Sequence, residues 1–162
     1  MISLILMSLL TLSSCASTST LNNDDDETGN NLNVKFTTLA QQSFSNISLP
    51  RQLVIKSTKD WLRLLKIHGN TQSLNKSNIN VDFYENIVIA VFAGQQPSGG
   101  YTVGVSNIKR IDGDLYVTLT FKEPGENEDV SLALTQPYIM ISTEKVDGKI
   151  IFLASPSAVK KY

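Results

Sequence analysis

A chain of 162 residues, 41% hydrophobic and 18% charged, has an ordinary folding composition and room for one domain. Its 14 basic and 15 acidic residues give a formal net charge of −1, which supplies no positive field to hold a nucleic acid. One cysteine excludes an intrachain disulfide framework, and one histidine excludes any multi-histidine metal site, so neither metal nor cofactor is expected.

Met1 to Leu12, MISLILMSLLTL, is apolar except for Ser3, Ser8 and Thr11. That is the length of a signal-peptide core and short of the ~20 residues that span a bilayer. Its start carries no Lys or Arg, only the positive charge of the α-amino group of Met1. Leu12-Ser13-Ser14-Cys15 follows, and it resembles the bacterial lipobox, in which two small residues fit the peptidase and the cysteine thiol takes the lipid. The resemblance implies a signal peptide over 1–14, lipidation at Cys15, and an exported chain held to the cell envelope by its acyl chains. Each buried CH₂ adds roughly 0.8 kcal/mol of membrane affinity. Ala16 rather than Asp after the cysteine favours the outer membrane over the inner.

Residues 15–33 then form a lipidated N-terminus and a polar spacer, with three aspartates at Asp24 to Asp26 and no aromatic residue. Such a segment buries too little apolar surface to offset its ordering entropy. The aspartates lack the distal glutamate of a calcium loop, and read as a solvated charge run.

From Val34 the pattern turns to β, and residues 34–162 are expected to form one domain. Arg51 to Lys56 is a short strand after Pro50. Ser57 caps a helix with Asp60 three residues on, and Trp61, Leu64, Leu65 and His68 share one face before Gly69 stops it. Leu62 and Ile67 widen the apolar stripe, and Trp61 is the expected anchor on a sheet. Asn86 to Ala93 is a continuous β-branched run, as in a strand buried on both faces. Tyr101 to Ile108 and Leu115 to Phe121 alternate at period two around Asp112-Gly113-Asp114, which predicts an antiparallel hairpin. Tyr138 to Ser142 and Ile150 to Leu153 are expected to pair likewise through Asp147-Gly148. The fold class is mainly β: a single antiparallel sandwich-like or barrel-like domain with one packed helix.

The catalytic inventory is thin. His68 has no Gly-x-Ser-x-Gly partner motif, and its place on the helix face reads as a partly buried helix-terminal histidine. A hydrolase centred on His68 is the enzyme reading to weigh against. Glu123, Glu126, Glu128 and Asp129 flank Pro124-Gly125 in a loop, where carboxylates are usually solvated. The chain is therefore expected to be a binding protein and not an enzyme.

Two corners remain as recognition candidates. Pro97-Ser98-Gly99-Gly100-Tyr101 follows the central strand, and Thr135-Gln136-Pro137-Tyr138 opens a later one. Each joins a stiffening proline to a tyrosine, which gives large contact area at low entropic cost. Pro97, Ser98, Gly99, Gly100, Tyr101, Thr135, Pro137 and Tyr138 are the candidate partner-binding residues.

At these residues the sequence resembles the PrcB C-terminal domain family, named for a subunit of a surface protease complex. The likeness runs from about Val54 to Ser142, through the Trp61 helix, Val81-Asp82-Phe83, Ile87 to Gly94, the Ser-Gly-Gly-Tyr element, Pro124-Gly125 and Thr135 to Tyr138. It implies a non-enzymatic domain with a protein partner, a protease on the cell envelope that the domain accompanies or stabilises. The same loops are similar to those of chagasin-type cysteine-protease inhibitors, which implies two proline loops lying side by side against a protease cleft. Gln96 stands there for Asn, Ser98 and Gly99 for Thr, and Gln136 for Arg.

Overall fold

The run Ile87–Phe92 becomes the middle of the molecule because it has apolar side chains for both faces of a sheet. The computed structural model describes residues 31–69 and 80–154; the signal peptide, Cys15 and the spacer up to residue 30 lie outside them. Among the described residues the order is β1 (Asn31–Asn33), β2 (Phe36–Gln42), β3 (Arg51–Ile55), α1 (Thr58–His68), β4 (Asn86–Phe92), β5 (Thr102–Ile111), β6 (Asp114–Lys122), β7 (Tyr138–Glu144) and β8 (Ile150–Ala154). They form two four-stranded sheets, β1-β5-β6-β8 and β2-β7-β4-β3. The domain is thus mainly β and sandwich-like, not a closed barrel.

Alternation along β4 sorts its side chains. Ile87, Ile89 and Val91 join Ile139 and Ile141 of β7 against Val103, Ile108, Leu115, Val117 and Leu119 of the other sheet. Val88, Ala90 and Phe92 face the opposite way, with Tyr138 and Met140, towards Trp61, Leu64 and Leu65 of α1. The β2-β7-β4-β3 sheet is therefore the middle of three layers, which is why an antiparallel strand has no polar face.

The helix ends as its sequence requires. Ser57 is extended (φ −146°, ψ 150°) and accepts a hydrogen bond from the Asp60 backbone N–H, while Gly69 adopts the left-handed conformation (φ 77°) and donates to Leu65 O at 3.1 Å. Trp61, Leu64, Leu65 and His68 are buried as the spacing predicts, whereas Leu62 and Ile67 are exposed. A single sheet face beneath the helix covers one stripe only, so the wider stripe is not used.

The hairpin of β5 and β6 is present, with Ile111 opposite Asp114 across the two turn residues. Asp112 (φ 51°) and Gly113 (φ 87°) both have positive φ, as the tight turn that matches strand twist demands. β5 is longer than its alternating pattern suggests, because a register shift between Val105 and Asn107 inserts one residue. A similar shift between Thr38 and Ala40 lets Leu39 and Ala40 of β2 both be buried. β1 pairs with β5, so the last residues of the expected spacer are part of a sheet.

The second predicted hairpin does not form. β7 and β8 lie in different sheets, and β8 runs parallel to β6, with Leu115 opposite Ile150 and Val117 opposite Phe152. The reason lies in the connection. Leu115 N donates to Lys149 O at 2.8 Å and Lys149 N to Asp114 Oδ1 at 2.7 Å, so the Asp147-Gly148 step lands on the β5–β6 turn. A Cβ at Gly148 would collide with the Gly113 carbonyl. The chain thereby crosses between sheets, Ile150 and Phe152 close the inter-sheet core, and Arg110 of β5 and Glu144 of β7 pair across the layers.

Candidate functional site

Strands β2, β4 and β6 end, and β3, β5 and β7 begin, at the same end of the sandwich. Three connections gather there, residues 43–50, 93–101 and 123–137. The second and third are bonded to one another along their length. Ala93 N donates to Pro137 O at 2.9 Å, and Gln96 and Thr135 exchange both backbone bonds, at 2.8 and 3.1 Å. Thr135 Oγ1 donates to Ser98 O at 2.7 Å, and Gly99 N to Ser131 O at 2.9 Å. The two proline corners thus form one unit.

The paired glycines make that approach possible. A Cβ at Gly99 would sit 2.8 Å from Ser131 Oγ. At Gly100, whose φ is +83°, it would sit 2.7 Å from Pro124 Cβ and 2.8 Å from Val130 Cγ1. Gly99 and Gly100 hold the neighbouring loop, which gives them a role inside the chain.

The structure brings all eight candidate residues to this end but does not expose them equally. Pro97 is exposed, and Ser98, Gly99, Gly100 and Tyr101 are half-buried. Thr135, Pro137 and Tyr138 are buried, and this corrects the sequence expectation for those three. Tyr138 opens a central strand opposite Gln42 and Phe92 on the helix-side face, so its ring goes into the core at 0% exposure. There it meets His68 edge-on at 4.3 Å between ring centres and lies 5.9 Å from Phe92 in a stacked arrangement. Tyr101 lines a groove of about 370 Å³ between the ends of β2 and β5, crossed by a 2.9 Å bond from Gln41 Nε2 to Val103 O.

His68 supports the first connection, residues 43–50, from below. It is wholly buried, not partly, and its Nδ1 shares a 3.0 Å hydrogen bond with Ser45 Oγ. Ile47 N donates to the same oxygen at 3.0 Å, and Asn46 N donates to His68 O at 3.0 Å. Segment 43–50 is then tied onward, with Gln136 N donating to Ser43 O at 2.8 Å and Gln95 N to Ser48 O at 2.9 Å. A substrate has no route to a serine and histidine enclosed in this way, so the geometry gives a hydrolase centred on His68 no footing.

The loop carboxylates are exposed and spread over a turn: Glu128 accepts from Gly125 N at 3.1 Å and lies 3.6 Å from Lys122. No group of three His, Cys, Asp or Glu that could hold a metal ion occurs among the described residues. Sequence reasoning missed Ser45, which lies in a Ser/Asn-rich stretch without periodicity. It also missed Phe44, Leu49, Leu132 and Leu134, whose exposure no pattern in the chain announces.

A rigid sandwich with one end built from mutually bonded loops has the arrangement in which functional residues of either kind, binding or catalytic, are commonly carried. Residues 87–144 match the family model described as PrcB C-terminal, which supports the resemblance read from the residues. The match opens inside β4 and closes at the last residue of β7, so it contains both bonded loops. It leaves out α1 and Val81-Asp82-Phe83. No curated protein and no solved structure matches the chain.

Proposed function

We propose that this chain is an exported, lipid-anchored accessory protein that associates with a protease complex of the cell envelope and performs no catalysis itself. Its contact surface is the end of the sandwich where residues 93–101 and 123–137 meet. One observation carries this reading: the segment matching the PrcB C-terminal family supplies both loops and the hydrogen bonds that fasten them together. A preorganised loop pair loses little conformational entropy on binding. Cys15 and the spacer hold the domain near the membrane, the outer one in preference to the inner.

Affinity capture with the full chain from detergent-solubilised envelope tests the association: a protease or its complex subunit is expected among the retained proteins. Recovery of abundant envelope proteins alone removes the proposal. Labelling with a radioactive fatty acid tests the anchor, with the label expected on the wild type and lost in Cys15→Ser.

A direct inhibitor is the second reading, favoured by the adjacency of the two proline corners. With Pro137 and Tyr138 buried, only Pro97 to Tyr101 remains to enter a cleft. Absence of inhibition of cysteine and serine proteases by micromolar domain disposes of it.

A further inference from the structure

Ten large apolar side chains are exposed among the described residues, and four of them, Phe44, Leu49, Leu132 and Leu134, sit in the bonded loops at one end. Each adjoins a residue that fastens the loops. Phe44 follows Ser43, Leu49 follows Ser48, Leu132 follows Ser131 and Leu134 precedes Thr135. Leu132 is 93% exposed and Leu49 65%. Loops that hold their backbone in place while exposing leucines to water at one end of the sandwich offer apolar surface for a partner and are not frayed segments.

The charges around the patch are mostly negative. Glu123, Glu126, Glu128 and Asp129 are exposed on the same loop as the leucines, and Lys122 and Arg51 are the cations in or beside these connections. Lys122 already lies against Glu128. Like charge disfavours three occupants: an anionic bilayer, a second copy meeting this end face to face, and the chain's own Asp24–Asp26 segment.

From this we infer that the loop end centred on Leu132 and Leu134, with Phe44 and Leu49, docks a polypeptide segment whose apolar side chains are flanked by Lys or Arg. The inference rests on the accessory reading and names the chemistry of the partner's contact segment. The leucines supply the buried contact and the carboxylates the steering and register.

The test uses the full chain and three fluorescent probes: a peptide of alternating Leu and Lys, its counterpart with Glu for Lys, and phosphatidylglycerol vesicles. The Leu-Lys peptide is expected to bind, and Leu132→Ser/Leu134→Ser to weaken it about 10-fold. Glu126→Gln/Asp129→Asn is expected to weaken it about 3-fold and flatten its salt dependence. Leu62→Ser, on the exposed side of α1, is expected to change nothing. Three results overturn the inference: equal peptide binding by the leucine variant, equal binding of the Glu peptide, or vesicle binding that the leucine variant loses, since binding through acyl chains on Cys15 is common to both proteins. Absence of binding by every probe overturns it as well. Should an envelope protease be captured equally by wild type and the leucine variant, this surface fails while the accessory reading stands. Failure of the wild type to capture any protease removes the accessory reading instead.

Discussion

His68 Nδ1 lies 3.0 Å from Ser45 Oγ, and the two residues are 23 positions apart in the chain. This buried hydrogen bond joins the end of α1 to the connection between β2 and β3. Through Ser43 and Ser48 that connection holds both of the loops proposed to meet a partner. The only histidine is therefore a brace under the candidate surface.

Removing one member of the brace leaves a buried polar atom without its partner. Ser45→Ala is expected to cost about 1–3 kcal/mol, since it strands both the imidazole nitrogen and the Ile47 N–H. Ser45→Ala/His68→Leu is expected to cost less than the sum of its single changes, because the apolar ring replacement no longer needs an acceptor or donor. Urea denaturation of the four proteins in the cycle measures both quantities.

Gly100→Ala is expected to destabilise by about 1–3 kcal/mol, combining a left-handed backbone with overlap on Pro124 and Val130. The damage should be local first. Amide exchange at Gly99, whose N–H bonds Ser131 O, should accelerate more than exchange in β4. Exchange rising equally throughout would mean the loops are not a separate unit.

Gly148→Ala should disturb the crossing between sheets, because its Cβ would press on the Gly113 carbonyl and on Asp114 Oδ1. A loss of about 1–3 kcal/mol is expected. NMR amide shifts should move at Leu115 and Ile150, which are paired partners, while α1 stays as it is. An unaltered denaturation midpoint would refute the proposed packing.

Trp61 is the largest fully buried side chain, and it fastens α1 to the middle sheet. Trp61→Ala is expected to cost about 3–5 kcal/mol. Leu62→Ala, one residue away but exposed, should fall within about 0.5 kcal/mol of the wild type. Comparable losses at the two positions would contradict the single-stripe contact.

Local chemistry made much of this protein readable from its residues alone. The helix was marked by Ser57, Gly69 and the spacing of Trp61, Leu64, Leu65 and His68, all signals that act within one or two turns. The Asp112-Gly113 turn and the doubly apolar run of β4 were equally local. Tertiary structure decided what depends on residues far apart in the chain. Asp147-Gly148 is a turn signal, yet whether the next strand folds back or crosses over depends on contact with Gly113 and Asp114. Tyr138 looked like an exposed corner residue until its strand took a central place between β2 and β4. The two loops became one surface only through bonds spanning 37 residues, such as that from Thr135 Oγ1 to Ser98 O. Backbone propensity acts over a few residues, whereas burial and sheet order follow from how the whole chain divides its apolar faces among three layers.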